Sequence, residues 1–365
     1  MTKTTAAGAQ LAAARPQVVE AVGSEWNRLA FLGGSPFLTH EWISSWWDAL
    51  GDGQLLCALL RAADGSLRAG ACCRLSPSGE LTALADPAYS YEWNVVAQDA
   101  DARQDVWQAI ARFGARRISV TLLPDRPDGA GAACEALELA GYRVLTNRVE
   151  VSPYLVLPGT WDELLGSISR NLRHKLRRNR RGLARGGALV LRTTRSETDL
   201  ERSLETFFAL EASGWKGRAG TAILCDPRAE RLFRSFARAA ARQGWLRLSI
   251  LECAGTPVAA AYGCAFAGRA FRLKSAYDER YADHSPGLVL LGEELQRSID
   301  EGLREYDFLG SAEFHKLRWH ARTRDRLTVR GYRGASTLPA YAYRARVRPL
   351  LGRIRRGARR MAKLT

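Results

Sequence analysis

The chain has 365 residues, 46% of them hydrophobic, with 54 Lys and Arg against 38 Asp and Glu and a net charge of +16. That composition excludes a disordered chain, and the length suits two units of about 150 residues each. No apolar run approaches the 18 residues of a membrane span, and Met1 to Pro16 lacks the apolar centre of a signal peptide, so a cytoplasmic protein is expected.

In chain order, a helix is expected near Val18 to Leu32, then a second one capped by Thr39 and carrying Trp42, Trp46 and Trp47. A hairpin follows, Leu55 to Ala62 and Leu67 to Leu75, turning at Asp64-Gly65. Next come a strand at Leu81 to Ala85, a helix at Asp101 to Phe113, a strand at Arg117 to Leu122 and a helix at Gly131 to Ala140, closed by strands on either side of Asn147. The second half repeats that order. Helices at Trp161 to Ile168 and 171 to 185 precede a strand at Ala188 to Thr194, helices at 197 to 212 and 227 to 242, and three strands at 245 to 252, 257 to 266 and 269 to 276. A helix at 286 to 302, a strand at 305 to 308 and a closing strand near 326 to 332 complete it. The expected fold is therefore α+β, a mixed α/β arrangement of two tandem domains with central mixed sheets, over residues 16–155 and 156–335, followed by a basic amphipathic tail at 336–365.

Charge is concentrated. Residues 164 to 196 hold ten Arg or Lys and no acid, and residues 326 to 365 hold twelve and no acid; without those 22, 32 basic residues face 38 acidic ones. Two local patches point to a polyanion or an anionic surface. In the first patch Arg170, Arg173, Arg177 and Arg181 follow one helical stripe and Leu172, Leu176 and Leu183 another, a pattern that suits phosphate contact and also a plain solvated face. No aromatic residue lies between Trp161 and Phe207, which argues against base stacking there. In the tail, Val347, Leu350, Leu351, Ile354 and Met361 stand among nine basic residues, as in segments that lie on an anionic membrane and equally in solubilising tails.

Ser285-Pro286-Gly287 reads as a helix start, with Ser285 the cap and Pro286 the first position, whose open N–H groups can face a phosphate or simply water. Gly214-Trp215-Lys216-Gly217-Arg218-Ala219-Gly220-Thr221 is a glycine-punctuated loop, either a helix end with a connector or a flap able to close over an acceptor, with Trp215 as a flat wall. Lys274, Asp278, Asp307, Glu313 and Lys316 fall at strand ends, where salt bridges and catalytic groups both occur. Seven cysteines without a C-x-x-C pair read as reduced core residues, and the five histidines have no zinc-ligand spacing, so no metal is expected.

The order of Glu211-Ala-Ser-Gly-Trp-Lys-Gly, Asp226-Pro227, Lys274 with Tyr277-Asp278, Ser285-Pro286-Gly287, Tyr306-Asp307-Phe308 and Lys316 with Trp319 resembles the GNAT-superfamily acyltransferases of the CelD/BcsL-like branch, named for an association with cellulose biosynthesis. A more distant similarity reaches the Fem-type aminoacyltransferases. The glycine-rich acyl-CoA loop of GNAT enzymes is replaced by Ala282-Asp-His-Ser-Pro-Gly287. The resemblance implies a degenerate first GNAT-like domain and a catalytic second one. It implies transfer of an acyl group, most simply acetyl, from acetyl-CoA or another acyl-CoA to an amine or hydroxyl of a sugar or small metabolite in exopolysaccharide or envelope biosynthesis. Aminoacyl-tRNA is the alternative donor, and a non-catalytic scaffold, peripheral at the inner membrane, the non-enzymatic alternative. Donor contacts are expected from Lys274, Ser285, Pro286, Gly287, Leu288, Arg170 and Arg173, and acceptor contacts from Trp215, Lys216, Tyr277, Asp278 and Trp319. Direct transfer needs a base, with Asp307 and Glu313 the candidates, and a donor for the developing oxyanion; the resemblance to the Fem-like relatives implies oxyanion or phosphate stabilisation for Lys316. No Ser-His-Asp or Cys-His set stands out for a covalent intermediate.

Overall fold

The computed structural model of the protein describes residues 9–347, which form a mixed α/β fold around one continuous sheet. Its strands are β1 (Leu11–Ala13), β2 (Gln54–Arg61), β3 (Leu67–Leu75), β4 (Glu80–Ala83), β5 (Val96–Ala97), β6 (Arg117–Pro124), β7 (Arg143–Val156), β8 (Leu189–Thr194), β9 (Leu246–Cys253), β10 (Thr256–Phe266), β11 (Arg269–Tyr277), β12 (Glu305–Asp307) and β13 (Arg322–Tyr332). They lie in the order β1-β2-β3-β4-β6-β13-β7-β12-β11-β10-β9-β8, with β5 beside β3.

Read from its two edges, that order is a repeat. β1 to β4 and β6 mirror β8 to β11 and β12, and in each half a helix, Ala100–Arg112 or Pro286–Asp300, connects two parallel neighbours, β4 to β6 and β11 to β12. The last strands are exchanged. β7, which closes the first half in sequence, pairs with β12 of the second half, while β13, which closes the second, pairs with β6 of the first. The exchanged strands pair with each other over eleven positions.

This exchange accounts for two departures from the expected elements. β7 runs unbroken through Asn147 for 14 residues, and β13 begins at Arg322, because each is flanked by partners on both sides. Ladder hydrogen bonds on two edges hold polar residues that local propensity alone would leave in a turn.

Side-chain packing also crosses between the halves. Thr39 caps the His40–Leu50 helix as expected, accepting from the Trp42 N–H, and Trp42 meets Phe236 edge-on at 4.8 Å. Phe37 packs on Phe271 at 6.0 Å, and these residues belong to one apolar cluster spanning both halves. Asp226 caps the Pro227–Arg242 helix and accepts a hydrogen bond from the Tyr89 hydroxyl of the first half. Five of the seven cysteines, Cys57, Cys72, Cys73, Cys253 and Cys264, are buried. No described helix is long and apolar enough to cross a membrane. Residues 348–365, with most of the basic tail, lie outside the described residues.

Candidate active site

β11 pairs with β12 only from Arg269 to Phe271, after which the two part and β11 continues to Tyr277 along β10 alone. A strand that loses its neighbour on one edge leaves a gap in the sheet, and here the gap is a cleft of about 740 Å³. One wall is Arg272 to Tyr277, the other Phe308 to Ser311 with Glu313, His315, Lys316 and Arg318. Ser285, Gly287 and Leu288 form one end, and Gly214, Trp215 and Lys216 the rim. The first half supplies Pro87, Ala88, Tyr91 and Glu150. Its own corresponding strand, β4, is only four residues long, and the chain after it crosses to roof the cleft of the second half, where the Tyr91 hydroxyl donates to the Leu273 carbonyl at 2.6 Å.

Of the residues expected at a site, Lys274, Tyr277, Ser285, Gly287, Leu288, Trp215, Lys216, Glu313 and Lys316 line this cleft. Lys274 makes no hydrogen bond or ion pair among the described residues and sits 5.4 Å from the centre of the Phe233 ring. Burial lowers its ammonium pKa against the opposing pull of Glu211. Lys316 donates to the Leu309 carbonyl at 2.8 Å and the Ser311 carbonyl at 3.0 Å, so its amine fixes the bend of the far wall as well as facing the cleft. Burial lowers its pKa too, with Glu313, 3.9 Å away, and Glu150 pulling it back up.

Others serve the scaffold. Ser285 does not cap the helix: it adopts a left-handed conformation, φ 42°, and its carbonyl receives the Leu288 and Val289 N–H groups. Pro286 is buried, leaving the Gly287 N–H as the first-turn donor without a partner among the described residues. Lys216 lines the rim, but its amine is spent on Glu211, at 2.8 Å, and the Ser275 carbonyl, at 2.9 Å. Trp215 to Arg218 is a short helix pinned by Glu279, which takes the Trp215 N–H and the Arg218 guanidinium, so the segment is a built rim rather than a flap. Asp278 lies outside the cleft, capping residues 279–284 and pairing with Arg280 at 2.6 Å. Trp319, 0% exposed, is core, packed with Leu155 and Phe308. Asp307, 1% exposed, is also outside the cleft lining, with one carboxylate oxygen on the Leu309 N–H and the other 3.6 Å from the Arg324 guanidinium, without a hydrogen-bond partner among the described residues; burial raises its pKa against Arg324 and Arg326.

The basic helix, Arg170–Ala184, buries Leu172, Leu176 and Leu183 as its pattern requires, capped by Ser169 through the Leu172 N–H. Leu176 packs so tightly on Gly292 of the neighbouring helix that a Cβ there would come within 2.9 Å of it. Arg170 and Arg173 do not line the cleft; the residue this helix turns to it is Lys175, with Arg170, Arg173 and Arg177 on a different stripe without acid partners among the described residues. Helical geometry explains the difference, since Lys175 is two residues from Arg173 and faces another way.

Several cleft residues were not among those expected at the site. Arg272 pairs with Glu294, whose side chain is 11% exposed, at 3.3 Å, and desolvation raises the pKa of that carboxyl. Glu211 uses both oxygens, on Lys216 and on the Ile223 N–H at 2.9 Å. Tyr91 and Glu150 belong to the other half of the chain. A lone Glu or Tyr in a strand or loop carries no spacing signal, and only the fold brings these two to the cleft. The walls hold Lys175, Arg272, Lys274, Lys316 and Arg318, a cationic excess suited to an anionic ligand.

The segment that carries most of this cleft is similar to a GNAT domain. Residues 170–317, which carry the cleft walls of the second half, match the family model of the acetyltransferase (GNAT) domain. The whole chain resembles the crystal structure of FemX, with a TM-score of 0.60 at 13% identity, covering 92% of this chain and 99% of that one. It also resembles L-PGS from Bacillus licheniformis, with a TM-score of 0.54 at 14% identity over 93% of this chain and 97% of that one. At such identities the likeness is one of fold. No curated protein matches the sequence.

Proposed function

We propose that the protein is an acyltransferase that moves an acyl group directly from a carrier to an amine or hydroxyl, with acyl-CoA as donor and a sugar or small metabolite as acceptor. The observation that carries this reading is the cationic cleft at the parting of β11 and β12, most of whose lining belongs to the segment that matches the acetyltransferase domain. Phosphates of the donor would lie toward Lys175 and the Gly287 N–H, where a positive side chain and a helix start face the same space. Lys274 and Lys316, which both line the cleft, would stabilise negative charge growing on the acyl oxygen. The acceptor would enter between Tyr91 and the rim residues Trp215 and Tyr277. The resemblance of the motif order to that of the CelD/BcsL-like branch favours an acceptor from exopolysaccharide or envelope biosynthesis.

A second reading, transfer from aminoacyl-tRNA, is favoured by the exposed Arg170 and Arg177 with Arg173 beside them, a stripe without acid partners among the described residues that suits a phosphate backbone. Thermal melting with acetyl-CoA, palmitoyl-CoA and alanyl-tRNA separates the two, because a ligand at 100 times its Kd stabilises the native state by about 2.7 kcal/mol. A rise with an acyl-CoA supports the first reading and a rise with the tRNA alone the second. No rise with any of them refutes both.

A further inference from the structure

We propose that Glu150, a residue of the first half, is the general base that takes the proton from the acceptor in the cleft of the second half. The assignment rests on the acyl-transfer reading above and deepens it. Glu150 lies on β7, the exchanged strand, and lines the cleft with Lys316. It makes no hydrogen bond or ion pair among the described residues, and its Oε1 is buried without a partner. A buried carboxylate oxygen left unsatisfied costs stability, and such costs collect where a group must be open to a substrate.

The other acids near the cleft are unsuited. Both oxygens of Glu211 are occupied, Asp307 lies behind the wall, and Glu313 is exposed at the rim, its carboxylate 3.3 Å from the His315 ring. The groups that face Glu150 leave it unclaimed. Arg326, its register partner on β13, gives its guanidinium to Glu92 at 2.7 Å. Lys316 is engaged by the Leu309 and Ser311 carbonyls, and the Tyr91 hydroxyl by the Leu273 carbonyl. Burial pushes the Glu150 pKa above the ordinary range, with Arg326 and Lys316 opposing and the Asp307 charge adding to it. A carboxylate lifted in this way is a stronger base at neutral pH.

The acceptor nitrogen or oxygen attacks the acyl carbon and passes its proton to Glu150. The bond from the acyl carbon to the carrier atom then breaks, its electron pair stays on the carrier, and that atom recovers the proton from Glu150. The carboxylate is restored, and no oxidant or reductant takes part.

The test uses the full chain, with acetyl-CoA, palmitoyl-CoA and alanyl-tRNA as donors and glucosamine or hydroxylamine as acceptors, followed by release of the carrier. Glu150→Gln keeps the shape and removes the base, so turnover should fall by roughly 100-fold or more while KM changes only a few-fold. Glu150→Asp should retain part of the rate, with its acid limb displaced. A Glu whose native pKa is raised binds more protons folded than unfolded, so stability falls as pH rises from its unfolded to its folded pKa, and above that the full cost persists. Glu150→Gln should therefore melt at or above the wild-type temperature at pH 7, with the gap closing as pH falls through the acid range. Wild-type activity together with undiminished turnover in Glu150→Gln overturns the assignment and leaves acyl transfer standing. A wild-type protein that neither binds nor turns over any donor overturns both.

Discussion

The ion pair between Glu92 and Arg326 joins the exchanged strand to the half that receives it, and Glu92→Ala should expose how far the fold depends on that junction. The two groups meet at 2.7 Å with side chains only 8% and 3% exposed. Removing one member of a buried pair costs about 3–5 kcal/mol, because the remaining charge stays desolvated. Glu150 and Asp307 lie near enough to feel Arg326 and would compensate part of that, which brings the expected loss to roughly 2–4 kcal/mol. For a chain of this length each kcal/mol shifts Tm by roughly 1–2 °C, so the melting temperature should fall by roughly 2–8 °C. Urea unfolding measures the energy directly, and the pair Glu92→Leu with Arg326→Met should recover much of it, since packed apolar groups replace buried charges at little cost. A single variant that loses under about 1 kcal/mol would mean that water reaches the guanidinium, and the junction would then be no buried interface.

Other variants address the cleft and the surface. Lys316→Ala should lower stability and turnover together, by about 1–3 kcal/mol in stability, because the amine also holds the Leu309 and Ser311 carbonyls; a variant impaired in turnover alone would show those bonds to be idle. Gly217→Ala should disrupt the rim helix, since a Cβ there would overlap the Ala212 carbonyl, and limited proteolysis should then cut between residues 213 and 222 faster than in wild type. Changing Arg170, Arg173 and Arg177 together to Gln should leave Tm within about 1 °C, as surface charges without partners contribute little. The same change should flatten the salt dependence of alanyl-tRNA or acyl-CoA binding, and an unaltered slope would mark the stripe as plain solvated surface.

Much of this protein is written locally. The Thr39 and Asp226-Pro227 helix starts, the Asp64-Gly65 hairpin and the apolar stripe of Leu172, Leu176 and Leu183 follow from spacing and caps over a few residues, and the structure places them as the pattern requires. The repeat is also legible as an order of elements, and the motif order of the second half locates Lys274, Gly287, Glu313 and Lys316 on one cleft. What tertiary structure alone decided is which chain segment lies beside which. The exchange of β7 and β13 depends on pairings between residues 168 to 189 positions apart, for which no local periodicity exists. It is that exchange which carries Glu150 to the cleft and the following loop of β4 which brings Tyr91, while Asp278, Asp307 and Trp319, the right residue types in the right order, are drawn into caps and core. Sequence specifies the side chains a site can use; the free energy of burying the whole sheet settles which of them remain open to a substrate.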